Sequence, residues 1–276
     1  MLKRLSKAQT IALGFFLIIM TGTLLLMLPI SSRSGQVTSF HDALFTATSA
    51  TCVTGLIVAD TYQHWSNFGQ VVILALIQTG GLGFITMGIF FSVFLKRKTG
   101  LKERNLVQES VNAFDIGGVV RLVKKIVFGT MIIEGTGALI LFFRFLPQMG
   151  VAKALWNGVF HAISAFCNAG FDIMGKYGAY SSLTSYYDDI TVNLVIMMLI
   201  IIGGIGFIVW DDISIHKWHV RKYRLHTRIV LLTTTILVFG GAFLFYVFER
   251  NNLLAGMSVK GQVLSSLFGS VTARTA

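Results

Sequence analysis

Ser49-Ala50-Thr51-Cys52-Val53-Thr54-Gly55 is echoed 115 positions later by Ser164-Ala165-Phe166-Cys167-Asn168-Ala169-Gly170, with four of seven residues identical and Phe45 matched by Phe160 at the same offset. Each copy is made largely of small residues, is closed by glycine and lies between long apolar runs, a composition suited to backbone that must turn or expose its carbonyls. The pair reads as two ion-filter loops of a membrane channel or transporter. Further along, Ile77-Gln78-Thr79-Gly80-Gly81-Leu82-Gly83-Phe84-Ile85 parallels Ile200-Ile201-Ile202-Gly203-Gly204-Ile205-Gly206-Phe207-Ile208. Echoes in the same order at a period of 115 to 123 residues are too long for a solenoid and indicate repeated membrane subdomains.

Composition agrees. In 276 residues, 54% are hydrophobic and 13% charged, too apolar for a soluble domain of this length. The net charge of +11 does not form a basic patch interleaved with aromatics, so nucleic acid is discounted. Two cysteines, Cys52 and Cys167, both inside the echoed loops, give neither a disulfide framework nor zinc-ligand spacing. Lys3, Arg4 and Lys7 resemble the basic end of a signal peptide, but the apolar run continues for 18 residues with no small-residue cleavage pattern, so it is read as a retained helix.

Along the chain, residues 11–28 carry no charge and cover most of a ~30 Å hydrocarbon layer before Pro29 closes the helix. Residues 40–50 form a short helix that enters the membrane without crossing it, followed by the first loop and an uncharged span at 71–95. These make a first helix, loop, helix unit at residues 1–98. Residues 99–125 are an amphipathic interfacial connection. The second unit, 126–210, holds a span at 126–146 closed by Pro147, a short helix at 151–165, the loop at 166–171 and a span at 190–210. After a cytoplasmic loop at 211–228, a third unit at 229–276 reaches Thr272-Ala273-Arg274-Thr275-Ala276, a third filter motif that stops midway. The expectation is a piece of a longer chain, unable to transport alone.

Of the 23 Lys and Arg residues, 16 fall near the N-terminus, in 96–125 or in 217–228, which makes that side cytoplasmic and the N-terminus with it. Re-entry of the short helices keeps this topology consistent and places the filters toward the outer face. The C-terminal end of each short helix faces its loop, and its partial negative charge favours a cation there. A cation within the bilayer needs oxygens to replace its water, and non-helical backbone is tolerated at that depth where it lines a cavity. Backbone carbonyls are therefore the expected ligands, with Thr54 and Asn168 as candidate polar helpers.

These residues resemble the potassium transporters of the Trk, Ktr and HKT superfamily, most of all the Ktr-type bacterial membrane subunit. The resemblance covers essentially the whole sequence and rests on residues 47–56 and 161–171, both Gly-Gly-x-Gly-Phe segments and residues 272–276. It implies an all-α polytopic membrane protein of the cytoplasmic membrane, with helix, re-entrant loop, helix units around a pseudo-fourfold cation pore. It implies filter residues Thr51, Cys52, Val53, Thr54 and Gly55 in the first unit, Phe166, Cys167, Asn168, Ala169 and Gly170 in the second, and Thr272, Ala273, Arg274, Thr275 and Ala276 in the third. It implies potassium as the transported ion, no cofactor, a homodimer of the full-length chain and a cytosolic regulatory ring of nucleotide-binding RCK domains. Gly55 goes with potassium preference where a serine goes with sodium. Cys52 and Cys167 depart from the polar residues expected there.

Other residues leave alternatives open. Glu134 inside a span is a candidate for a proton or cation path, or a packing contact near Thr130. Asp211 and Asp212 meet a partner, or start the next segment and pair with the basic stretch. His216, His219 and His226 have no accompanying carboxylate or cysteine pattern and read as a solvated loop. Arg274 is expected to point away from the ion and pair with a carboxylate. The double glycines lack dinucleotide-binding spacing and read as close helix packing. No constellation of nucleophile, paired carboxylates or metal ligands indicates an enzyme, whereas channel-like uptake and sodium- or proton-coupled symport both remain open. The basic surfaces at 96–104 and 217–228 dock a regulatory subunit or contact anionic lipid.

Overall fold

The computed structural model describes residues 6–83, 86 and 119–275. Regular structure among them is helical, with one isolated antiparallel bridge between Ser32 and Trp65. The chain divides into two compact units, Met1–Ile132 and Ile133–Ala276.

In the first unit, α1 (Lys7–Met27) opens with a capping box in which Ser6 and Gln9 satisfy each other's backbone N–H. It ends at Leu28, and Pro29 starts a 3-10 turn, Pro29–Ser31, where its missing N–H costs nothing. Helix α2 (Phe40–Thr51) is capped by Ser39, which accepts from the Asp42 N–H. Its 12 residues rise about 18 Å, too little to span. One turn, α3 (Thr61–His64), is held by Asp60, whose Oδ1 accepts from Tyr62 and Gln63. Helix α4 (Asn67–Leu82) follows, and α2 packs against both α1 and α4. Ala43, Ala47 and Ala50 are fully buried, as are Leu26, Ile73 and Ile77. Alanines on α2 let the backbones approach closely.

The uninterrupted span expected at 71–95 is not found: α4 ends at Leu82, where Gly83 turns to φ +78. The remainder of that stretch, and residues 99–118 of the expected interfacial connection, lie outside the described residues. Residues 119–125 belong to α5 (Val119–Met149), which also runs through Pro147 instead of closing there. Pro147 falls in the last turn, where it withholds one N–H from the Phe143 carbonyl without stopping the helix, and Gly150 at φ +75 ends it.

The second unit continues with α6 (Val151–Phe166), α7 (Ile190–Gly204), α8 (Phe207–His216), α9 (Leu225–Glu249) and α10 (Val259–Thr275). The expected single span at 190–210 is corrected to two helices meeting at 95°, because Gly206 takes φ +89, a conformation other residues resist. Thr272, Ala273, Arg274 and Thr275 of the third expected motif lie within α10, none with positive φ, and Ala276 is outside the described residues.

Three helices are long and apolar enough to cross a membrane, at Ala8–Met27, Leu122–Met149 and Leu225–Glu249, and the bent pair α7–α8 raises the number to four among the described residues. Helix α9 is largely unburied, with Leu232, Ile236, Phe239 and Phe243 exposed, so its surface calls for an apolar surrounding. The chain is an all-α membrane protein.

Candidate ion-filter loops

Both echoed stretches fold alike. Helix α2 ends at Thr51 and α6 at Phe166, so the first residue of each expected filter is the last of its short helix. Cys52 and Cys167 then cap the helices with φ −86 and φ −72. The next residue turns left-handed in each copy, Val53 at φ 58 and Asn168 at φ 57. One residue later the N–H reaches back to a serine carbonyl, Thr54 to Ser49 at 2.9 Å and Ala169 to Ser164 at 2.8 Å. In the second copy the Asn168 N–H also donates to the Ala165 carbonyl at 3.0 Å. This is the Schellman closure of a helix, and it uses up N–H groups on the side facing the helix. Gly55 at φ 77 and Gly170 at φ 71 then add a second left-handed step.

Alternation of left- and right-handed residues sends successive N–H groups to one side and carbonyls to the other. The carbonyls of Val53, Thr54 and Gly55, and those of Asn168, Ala169 and Gly170, accept no hydrogen bond among the described residues. They lie at the negative end of a helix, an environment that favours a cation.

Side chains brace the loops. The Thr54 hydroxyl donates to Ser49 Oγ at 2.9 Å, and the Ser164 hydroxyl donates to the Phe171 carbonyl at 2.5 Å. Asn168 Nδ2 donates to the Phe166 carbonyl at 3.3 Å. His161, buried, has Nδ1 2.7 Å from the Asn157 carbonyl, while its Nε2 receives the Ile173 N–H at 3.4 Å. The two expected polar helpers therefore serve as struts. Ser49, Ser164 and His161 lie in the echoed stretches but outside the expected filter residues, and their bracing role is new; the serine at the same offset in both copies is the signal in the sequence. The cysteines differ: Cys52 is exposed, whereas Cys167 is buried with Sγ 4.0 Å from Glu134 Oε1. Glu134, itself buried, thus stands directly behind the second loop.

The double glycines seat the loops. A Cβ on Gly80 would lie 2.8 Å from the carbonyl carbon of Thr51, and one on Gly203 would lie 2.8 Å from that of Phe166, nearer still to each oxygen. The first glycine of each pair therefore receives the terminal carbonyl of its short helix, which confirms close packing as their use.

The remaining candidates are not brought to the loops. Arg274 lies beside Gly204, with Nη1 buried and without a hydrogen-bond partner among the described residues, so the expected carboxylate partner is corrected. The cause is that α10 stays helical, which turns this side chain toward α7. Asp212 is buried and accepts from the Arg224 N–H at 2.9 Å, with His216 Nδ1 3.0 Å from its other oxygen, so it fastens α8 to the start of α9. Among the described residues no group of three His, Cys, Asp or Glu is placed to hold a metal.

Comparison with known proteins fits this geometry. The TrkH family profile, described as a cation transport protein, matches residues 4–276. The chain is 44% identical to the potassium/sodium uptake protein NtpJ of Enterococcus hirae and 45% identical to the Ktr system potassium uptake protein B of Bacillus subtilis, covering 99% of this chain in each case. It is 37% identical over 97% of its length to the Ktr system potassium uptake protein B of Vibrio alginolyticus. It spans 60%, 60% and 58% of the length of these relatives. With a profile that matches nearly end to end and relatives that align over almost all of it, this chain belongs to the TrkH family of cation transport proteins.

Proposed function

We propose that the full protein takes up potassium ions across the cytoplasmic membrane, and that the loops after α2 and α6 are two walls of its filter, with backbone carbonyls substituting for the ion's water. The observation that carries this reading is the shared pattern of left-handed residues, Val53 with Gly55 and Asn168 with Gly170, which ties N–H groups back to the short helix and leaves carbonyls unpaired. Relatives named as potassium uptake proteins support the choice of ion. The assignment of Gly55 as the selectivity position, the division into units at 1–98, 126–210 and 229–276, their pseudo-fourfold arrangement and the cytoplasmic N-terminus belong to the same proposal. So do a homodimer and a cytosolic RCK-domain partner, both of which rest on the resemblance.

Gly55→Ser in the full-length protein is expected to raise sodium permeation relative to potassium in flux assays, since a Cβ at φ 77 strains the loop and displaces its carbonyls. Unchanged selectivity would sink the assignment. A second reading is favoured by the relative named potassium/sodium uptake protein: sodium accompanies potassium as a coupling ion. Potassium flux that requires external sodium would select it.

A further inference from the structure

The turn between α8 and α9 presents an indole and five cations together. Trp218 is 94% exposed, the most exposed large apolar side chain among the described residues. Lys217, Arg221, Lys222, Arg224 and Arg228 surround it in sequence and are all exposed. On the acidic side stand only Asp211 and Asp212, and Asp212 is buried and committed to Arg224 and His216.

The turn is braced. Lys217 takes φ 47, and its carbonyl accepts the Tyr223 hydroxyl, while Arg228 Nη2 donates to the Arg221 carbonyl. The His219 N–H donates to His216 at 3.0 Å and the Lys222 N–H to His219 at 2.8 Å. With its backbone fixed this way, the turn holds Trp218 outward as part of its fold.

Ile215, Val220 and Leu225 are exposed around the turn, and this apolar surface continues into Ile229, Leu232 and Ile236 on α9, the helix that most needs hydrocarbon. Indoles settle at the headgroup level, and basic side chains beside a span attract anionic headgroups. We propose that residues 215–228 form an anionic-phospholipid site, in which the Trp218 indole lies among the headgroups and Arg221 and Lys222 bind the lipid phosphate. Continuity with the exposed apolar face of α9, a helix long and apolar enough to cross a membrane, favours lipid over an acidic protein surface as the occupant. The site stands whichever ion the protein carries.

The test uses the full-length protein in phosphatidylcholine nanodiscs containing phosphatidylglycerol or phosphatidylcholine brominated at a shallow acyl position, at equal bromine content. The Trp218 signal is the fluorescence difference between the wild type and Trp218→Phe. Brominated phosphatidylglycerol is expected to quench it several-fold more than brominated phosphatidylcholine. Arg221→Gln and Lys222→Gln, both on the surface, are each expected to lower the apparent affinity for the anionic lipid by about fivefold. Equal quenching by the two lipids would overturn the proposal. So would a Trp218 fully open to aqueous acrylamide and shielded only when a cytosolic partner protein is added.

Discussion

Val53 and Asn168 take the same left-handed step with different ease. Asn is among the few residues that visit this region, and its Nδ2 also bonds the Phe166 carbonyl. Val53 has a branched Cβ, and holding it there costs roughly 1–2 kcal/mol. That strain at the first loop is met by the Ser49 and Thr54 bonds around it. Val53→Asn is therefore expected to stabilise the folded protein by about 1 kcal/mol, read as a higher unfolding midpoint in detergent; no gain would show that the loop relaxes around valine. The echo of residues 49–55 and 164–170 made the loops legible in sequence, yet valine at the shared left-handed position gave no hint of its backbone. Propensity speaks against a left-handed valine, and the capping bonds of a tertiary site override it.

At the scale of elements, each short helix was legible almost to the residue, because a dozen apolar and small residues bounded by a serine cap or a glycine admit few alternatives. The breaks in the following helices were not. Gly83 and Gly206 sit within apolar runs where glycine also serves packing, and sequence does not distinguish a glycine that packs from one that turns. Gly80→Ala and Gly203→Ala are expected to destabilise the protein by about 1–3 kcal/mol or more and to abolish uptake, because the added Cβ meets backbone that cannot rotate away. Gly240→Ala on α9, where a Cβ meets nothing within 4 Å, is the contrast and is expected to be neutral or to stabilise slightly. Equal effects at the three positions in thermal unfolding and rubidium uptake would disprove the seating of the loops.

At the scale of the molecule, composition alone made a multi-pass membrane protein legible, and α9, which exposes Leu232, Phe239 and Phe243, agrees. The seating of Thr51 on Gly80 and of Phe166 on Gly203 has a mechanical side. A helix that carries a carbonyl on its bare backbone has no slack, so tilt imposed on it by a bilayer too thick or too thin is passed to the loop that follows that carbonyl. Tilt is the common response to such mismatch. The turns at Gly83 and Gly206 come three residues after the seating glycines, and at Gly206 the chain bends by 95°. Potassium over sodium selectivity is thus expected to hold steady across liposomes of short and long acyl chains, and to vary with chain length in Gly206→Ala, which penalises the turn. A variant as indifferent to chain length as the wild type would refute this. We expect the bend to work as an expansion joint, with the far segment following the lipid while the segment that seats Phe166 stays still.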